Sequence, residues 1–437
     1  MKKMMLVAAV MILTAATAFA MGGGETSAES EYDRIVTTTV TATYLNETWF
    51  NTMNADFEAE TGIHVVVQPV PGDEDEYKAK INIDLMGGSD VDVVETLGPK
   101  DYSRQVSAGF FMPLNEAVEE AGIDPYEIYG ANLPVEDDGN YYALPFKQEM
   151  YCVFYNKAIF DEAGVPYPEG PWTWDEYVET AQKLTDKSRG VYGSFMNADL
   201  PWMYMPAQQL AVPFYKEDGS CNFDDPVFKE YAEWFKYISN ELGVQPSVAE
   251  LEAENANWNY YALEGYRLAM FPQGNWFTRL LNSQEDYPKD WNYGVAPLPS
   301  AGEGGENNLV SLGYVAINKN AAHPEEALTY ALWIAENQWK YEGGIPAFAT
   351  MSEEDQQLAF GSIAEASHGQ VTVDDLYQNL VNTGLGSVSS DIVGTAAAEY
   401  YNIVKEELSS YNMDLQDIDT AIANIVSRVN EAIANAE

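Results

Sequence analysis

The side chains through which this 437-residue chain could do covalent chemistry are few, apart from its acids: three histidines, two cysteines and 69 Asp plus Glu. His64, His323 and His368 each stand alone, with no second His or Cys at metal-ligand spacing. That pattern argues against zinc chemistry and against a histidine-activated nucleophile. Neither a G-x-x-x-x-G-K-[ST] loop nor a G-x-S-x-G elbow occurs, so phosphate-loop and nucleophile-elbow chemistry are not expected. Asp73-Glu74-Asp75-Glu76 lacks the glycine and terminal glutamate of an EF-hand loop and reads as a solvated acidic loop. With so many acids, closeness of two carboxylates in sequence identifies no glycosidase pair. No catalytic residue, cofactor or metal ligand is expected.

What remains is binding chemistry. Aromatic side chains beside glycine and proline offer flat apolar faces from loops: Tyr44, Trp202, Trp276, Tyr314 and Phe348. Such faces, set beside hydrogen-bond acceptors, suit a neutral polyhydroxyl ligand, although plain core packing is the alternative for each ring. Glu149 is the leading acceptor, placed between Pro145-Phe146 and the apolar run Tyr151 to Tyr155. A carboxylate there could accept two hydroxyl hydrogen bonds. Asn275, between Gly274 and Trp276, adds an amide. Glu95 follows an apolar strand at the carboxyl end of a sheet, where open α/β sheets bind ligands.

The elements that must carry these groups alternate. Ile35 to Val40 is a β-branched strand; Asn46 caps a helix with Phe50, Met53 and Phe57 on one face, stopped by Gly62. Ile63 to Val67 forms a second strand, Tyr77, Ile81 and Leu85 mark a second helix, and Val91 to Val94 forms a third strand. This β-α-β-α-β run is the mark of a doubly wound, mostly parallel sheet. Further along, Thr173 and Glu176 make a capping box, Pro324 opens a helix after the strand Tyr314 to Ile317, and Ile418, Ile422, Ile425, Val429 and Ala432 form one stripe.

Charge and termini bound the setting. The formal charge is −47, which repels polyphosphate and makes nucleic acid an unsuitable partner. Lys2 and Lys3, the apolar run Met4 to Leu13 and Ala18-Phe19-Ala20 form a secretory signal peptide over residues 1–20; its removal takes the charge to −49. A Gly/Ser/Glu-rich leader follows over 21–33, and no cysteine at the cleavage site offers a lipid anchor. Cys152 and Cys221 could pair in an exported protein or remain as buried thiols.

Several segments in order carry a family resemblance. Tyr142-Ala143-Leu144-Pro145, Tyr155-Asn156-Lys157, Phe160 with Ala163-Gly164, and Trp172-Thr173-Trp174-Asp175-Glu176 form one block. Outside it stand Phe57 to Ile63, Asp92-Val93-Val94, Ala269-Met270, Gly274-Asn275-Trp276, Val295 to Pro299, Gly313-Tyr314 and His323 to Ala327. Together they resemble the extracellular solute-binding proteins of ABC importers, the sugar-binding family that includes the maltose-binding protein. In that protein a glutamate six residues before the Tyr-Asn-Lys triplet faces the sugar, and Glu149 has this spacing; Trp276 matches the family's ligand-facing Trp. The family's next aromatic and acid have no clear match in Thr96 to Asp101.

The resemblance implies a two-lobed α/β fold of the periplasmic-binding type, with one lobe from 34–148 plus 314–347 and the other from 149–313 plus 348–437. It implies a non-enzymatic, monomeric protein outside the cytoplasm that closes on a sugar or oligosaccharide by hinge motion and delivers it to a membrane permease. The rival is a secreted carbohydrate-active enzyme, a hydrolase or lyase with paired carboxylates.

Overall fold

The computed structural model describes residues 32–41, 44–71, 74–136, 138–196, 201–254 and 267–436. The expected signal peptide and nearly all of the leader lie outside them, as does Asp73. The chain divides into two units, Met1–Gln148 with Leu312–Ser352, and Glu149–Ser311 with Glu353–Glu437.

In the first unit β1 (Ile35–Thr41) pairs in parallel with β2 (His64–Val70) and β3 (Val93–Leu97). β3 in turn pairs antiparallel with residues 313–317. Helices cover both faces, so most strand residues are buried on either side, as expected of a parallel sheet. Helix Thr48–Thr61 inserts Phe50, Met53 and Phe57 and stops at Gly62, whose φ of 70° suits a residue without Cβ. The cap is Glu47 rather than Asn46, because Tyr44–Asn46 already form a 3-10 turn. Helix Glu74–Met86 begins within the expected acidic loop. Its buried Tyr77, Ile81 and Leu85 face the sheet. The long helix Pro324–Glu342 lays Tyr330 and Trp333 against Phe57, at ring separations of 4.8 and 5.5 Å.

In the second unit the far half of β4 (Ala143–Asn156) pairs antiparallel with β6 (Arg267–Gly274) and β7 (Tyr293–Pro297). β5 (Val191–Ser194) joins β6 in parallel. The first half of β8 (Asn307–Ile317) pairs in parallel with β9 (Gly386–Ser389). Helix Trp174–Leu184 starts with the expected capping box: Thr173 Oγ1 accepts from the Glu176 amide, and the Thr173 amide donates to Glu176 Oε2 at 2.8 Å. The closing helix Ile418–Ala436 buries Ile418, Ile425 and Val429 as expected, with Ala421 and Ile433 rather than Ile422 and Ala432 completing the stripe.

Both cysteines are free and buried. Cys152 lies in β4 opposite Gln273 and Pro297, while the Cys221 thiol donates to the Tyr400 hydroxyl at 3.2 Å.

Candidate functional site

The most definite polar construction in the second unit stands where β4 enters it. Tyr151 is in register with Gly274, the last residue of β6. Pairing continues one step further through Asn275, whose amide donates to the Met150 carbonyl at 2.9 Å. Asn275 Oδ1 accepts from the Met150 amide at 3.0 Å, so one side chain finishes the ladder that the turning backbone leaves incomplete. Glu149 precedes Met150 and Trp276, the cap residue of helix Phe277–Asn282, follows Asn275, so each adjoins one half of this clamp. A Cβ at Gly274 would come within 2.4 Å of Trp276 Nε1, so glycine is what lets the indole lie over this backbone.

Beside this pair Tyr151 is buried, with its ring edge-on to Trp202 at 5.7 Å. Burial pushes the Tyr151 hydroxyl well above its ordinary range, and the Glu149 and Asp391 carboxylates push it further. Glu149 and Trp276 are both half-buried. The second unit therefore joins a carboxylate, an ordered amide and an indole. These are acceptors and an apolar face, the groups a hydroxylated ring needs.

Trp202, expected to offer a face to ligand, is enclosed completely and belongs to the core with Tyr151 and Met203.

The other four expected residues fall in the first unit. Tyr44 is half-buried, edge-on to Trp49 at 5.2 Å. Tyr314 is buried against Tyr102 at 4.7 Å. Phe348, placed by sequence in the second lobe, belongs to the first unit and packs on Trp339 and Tyr129 at 5.9 and 6.2 Å. The chain holds it there because the Gln148 amide donates to the Ile345 carbonyl and Gln148 Nε2 donates to the Pro346 carbonyl, each at 2.9 Å.

Glu95 lies within β3 rather than after it, and only 5 % of it is exposed. It accepts a hydrogen bond from Gln338 Nε2 at 3.1 Å, while Tyr77 donates to its backbone carbonyl at 3.0 Å. Burial pushes its carboxyl up to about 7; the Gln338 bond opposes this, the Glu342 carboxylate adds to it and the Lys147 ammonium opposes it. Lys147 itself is ion-paired to Glu342. Sequence reasoning missed Gln338 and Glu342. Their spacing of four places them on one helix face, but only once the phase of Pro324–Glu342 is known.

Among the described residues no group of three or more His, Cys, Asp or Glu could hold a metal ion. No described helix is long and apolar enough to cross a membrane.

Residues 42–341 match the model of the bacterial extracellular solute-binding protein family. The chain belongs to that family. A relative in Halalkalibacterium halodurans, an arabinooligosaccharide-binding protein, is 27% identical over 219 residues, covering 49% of this chain and 47% of the relative. The chain thus spans about half the length of that relative. An erythritol/L-threitol-binding protein of Mycolicibacterium smegmatis is 24% identical over 391 residues, covering 83% of this chain and 77% of the relative. Among solved structures, an ABC substrate-binding protein from Listeria monocytogenes in complex with cycloalternan aligns with a TM-score of 0.76 at 20% identity. That alignment covers 92% of this chain and all of the other. The expected two-lobed α/β fold is the fold of these neighbours.

Proposed function

We propose that this protein captures a sugar, an oligosaccharide or a related polyol outside the cytoplasm and presents it to the membrane subunits of an ABC importer. The family membership supports this reading, as do relatives named for arabinooligosaccharide and erythritol or threitol. The observation that carries it is the Asn275 clamp on Met150, whose chain neighbours are the half-buried Trp276 and Glu149. An acceptor carboxylate beside a flat indole recognises hydroxyls and ring C–H faces, and it needs no nucleophile or metal. Secretion by the segment 1–20 and action as a monomer belong to the same proposal.

A thermal-shift screen over neutral sugars, oligosaccharides and polyols tests it, with product analysis of every compound that stabilises the protein. Saturable stabilisation with the compound recovered unchanged is expected; turnover would establish the carbohydrate-active enzyme instead. With a stabilising compound in excess, the radius of gyration in solution scattering should fall, since the proposed capture proceeds by hinge closure. Identical scattering curves would refute closure.

Glu149→Ala should weaken binding of that compound by about 2 kcal/mol, roughly thirtyfold, with little change in melting temperature. Unaltered affinity in titration calorimetry would take Glu149 out of the site.

A further inference from the structure

A row of buried polar groups in the first unit has hydrogen-bonding capacity that its present arrangement leaves unused. Gln338 is fully buried; its Nε2 donates to Glu95 Oε2 at 3.1 Å, yet its Oε1 meets no donor among the described residues. Four residues on, along the same helix face, Glu342 has one carboxylate oxygen on Lys147 and the other, Oε2, buried without a donor among the described residues. Two orphan acceptors thus lie one helical turn apart, separated by a single amide that can be turned over.

If the Gln338 amide were turned over and Glu95 carried a proton, the Glu95 O–H would donate to Gln338 Oε1 and Gln338 Nε2 would face Glu342, four residues on and within side-chain reach along the helix. Glu342 still receives the Lys147 ammonium. Every member gains a partner and the row becomes neutral: an uncharged acid, an amide and one ion pair. With Glu95 ionised, two carboxylates share one ammonium in a buried place and two acceptors stay empty, which costs more.

We propose that Glu95 holds a proton in the resting protein and is a positioning residue. Through Gln338 and Glu342 it fixes Lys147 one residue before Gln148, where the chain leaves the first unit. Loss of the proton sets Glu95 in competition with Glu342 for Lys147 and loosens the root of that strand. Among the described residues, the other titratable groups around Glu95 are Tyr77 from helix Glu74–Met86 and Tyr330 from helix Pro324–Glu342, both kept neutral by burial. The raised carboxyl of Glu95 agrees with this arrangement. A carboxyl raised in the folded state contributes stability that is full below the ordinary carboxylate range and lost as pH rises through about 7.

The test needs no ligand, so it stands or falls independently of the transport reading. Denaturant unfolding of the wild type and Glu95→Gln is compared from about pH 5 to about pH 8. The glutamine mimics the protonated acid, so the variant should lack one pH-dependent component. Across that window the wild type's unfolding constant should rise about a hundredfold relative to the variant's. Parallel pH profiles would overturn the proposal. Should Glu95→Gln fail to fold, carbon-13 titration of the wild-type glutamate carboxyls decides: one carboxyl titrating near neutrality, and lost in Gln338→Met or shifted by it, supports the row. All glutamates titrating in the ordinary acid range would refute it.

Discussion

Replacing Asp92 by alanine should cost the first unit about 3–5 kcal/mol, read as a lower denaturant midpoint and a melting temperature several degrees down. Asp92 is wholly enclosed, yet its carboxylate is fully engaged. Oδ2 accepts from the Thr37 amide at 2.7 Å and the Thr37 hydroxyl at 2.8 Å, and it meets His323 Nδ1 at 2.9 Å. Oδ1 accepts from the His323 amide at 2.7 Å. One side chain therefore ties β1 to the entrance of β3 and to the start of helix Pro324–Glu342. Alanine would leave the part-buried donors of Thr37 and His323 without this acceptor, each at about 1–3 kcal/mol at most. Asp92→Asn retains one acceptor and should fall between the two.

The pH dependence follows. Burial pushes the Asp92 carboxyl up, but the bonds from Thr37 and His323 outweigh it and hold it below its ordinary value. A depressed carboxyl contributes stability above the ordinary carboxylate range and loses it as pH falls through the folded value. The gap between wild type and Asp92→Ala should therefore narrow below about pH 4. A gap independent of acid would mean that the alanine acts through packing alone.

Pro324 made the helix start legible; that His323 just before it meets Asp92, 231 positions away, was not. That difference is general in this chain. Helices announced themselves through local signals such as Gly62, the Thr173–Glu176 box and Pro324. The strands that carry the chain from one unit to the other did not. β4 extends from Ala143 to Asn156 and β8 from Asn307 to Ile317, longer than the apolar runs Tyr151 to Tyr155 and Tyr314 to Ile317. Pro145 and Gly313 punctuate those runs in sequence, but the ladder passes through them.

The candidate site was legible in part. Asn275 and Trp276 are neighbours in sequence, and the hydrogen bonds between Asn275 and Met150 link them to the residue after Glu149, a long-range pairing that local patterns do not reveal. Glu95 was misjudged as an accessible acceptor. Its neighbours Val93 and Val94 are both fully buried on opposite faces, so alternation could not say which way the acid points. Trp202 failed for a related reason. Gly and Pro nearby suggest a loop, but a loop aromatic can turn inward when a ring such as Tyr151 receives it.

Trp276→Ala should weaken ligand binding by about 2–3 kcal/mol, the larger of the two expected effects on affinity. The indole is half-buried, held over Gly274 and edge-on to Phe277 at 5.9 Å. A ring so constrained loses little conformational freedom when a sugar stacks on it, so most of the apolar area removed from water becomes affinity. Trp276→Phe should keep part of the effect, since a smaller flat face remains. Gly274→Ala provides an independent arm: its methyl would meet Trp276 Nε1 and displace the indole while leaving the ring itself in the chain. It should weaken binding nearly as much as Trp276→Phe, and the two changes together should cost less than their sum because both act on one ring. Titration calorimetry with a compound from the thermal-shift screen measures all four proteins. A sharp fall in melting temperature for Trp276→Ala, with affinity of the folded fraction intact, would make the indole a core residue and place the ligand elsewhere.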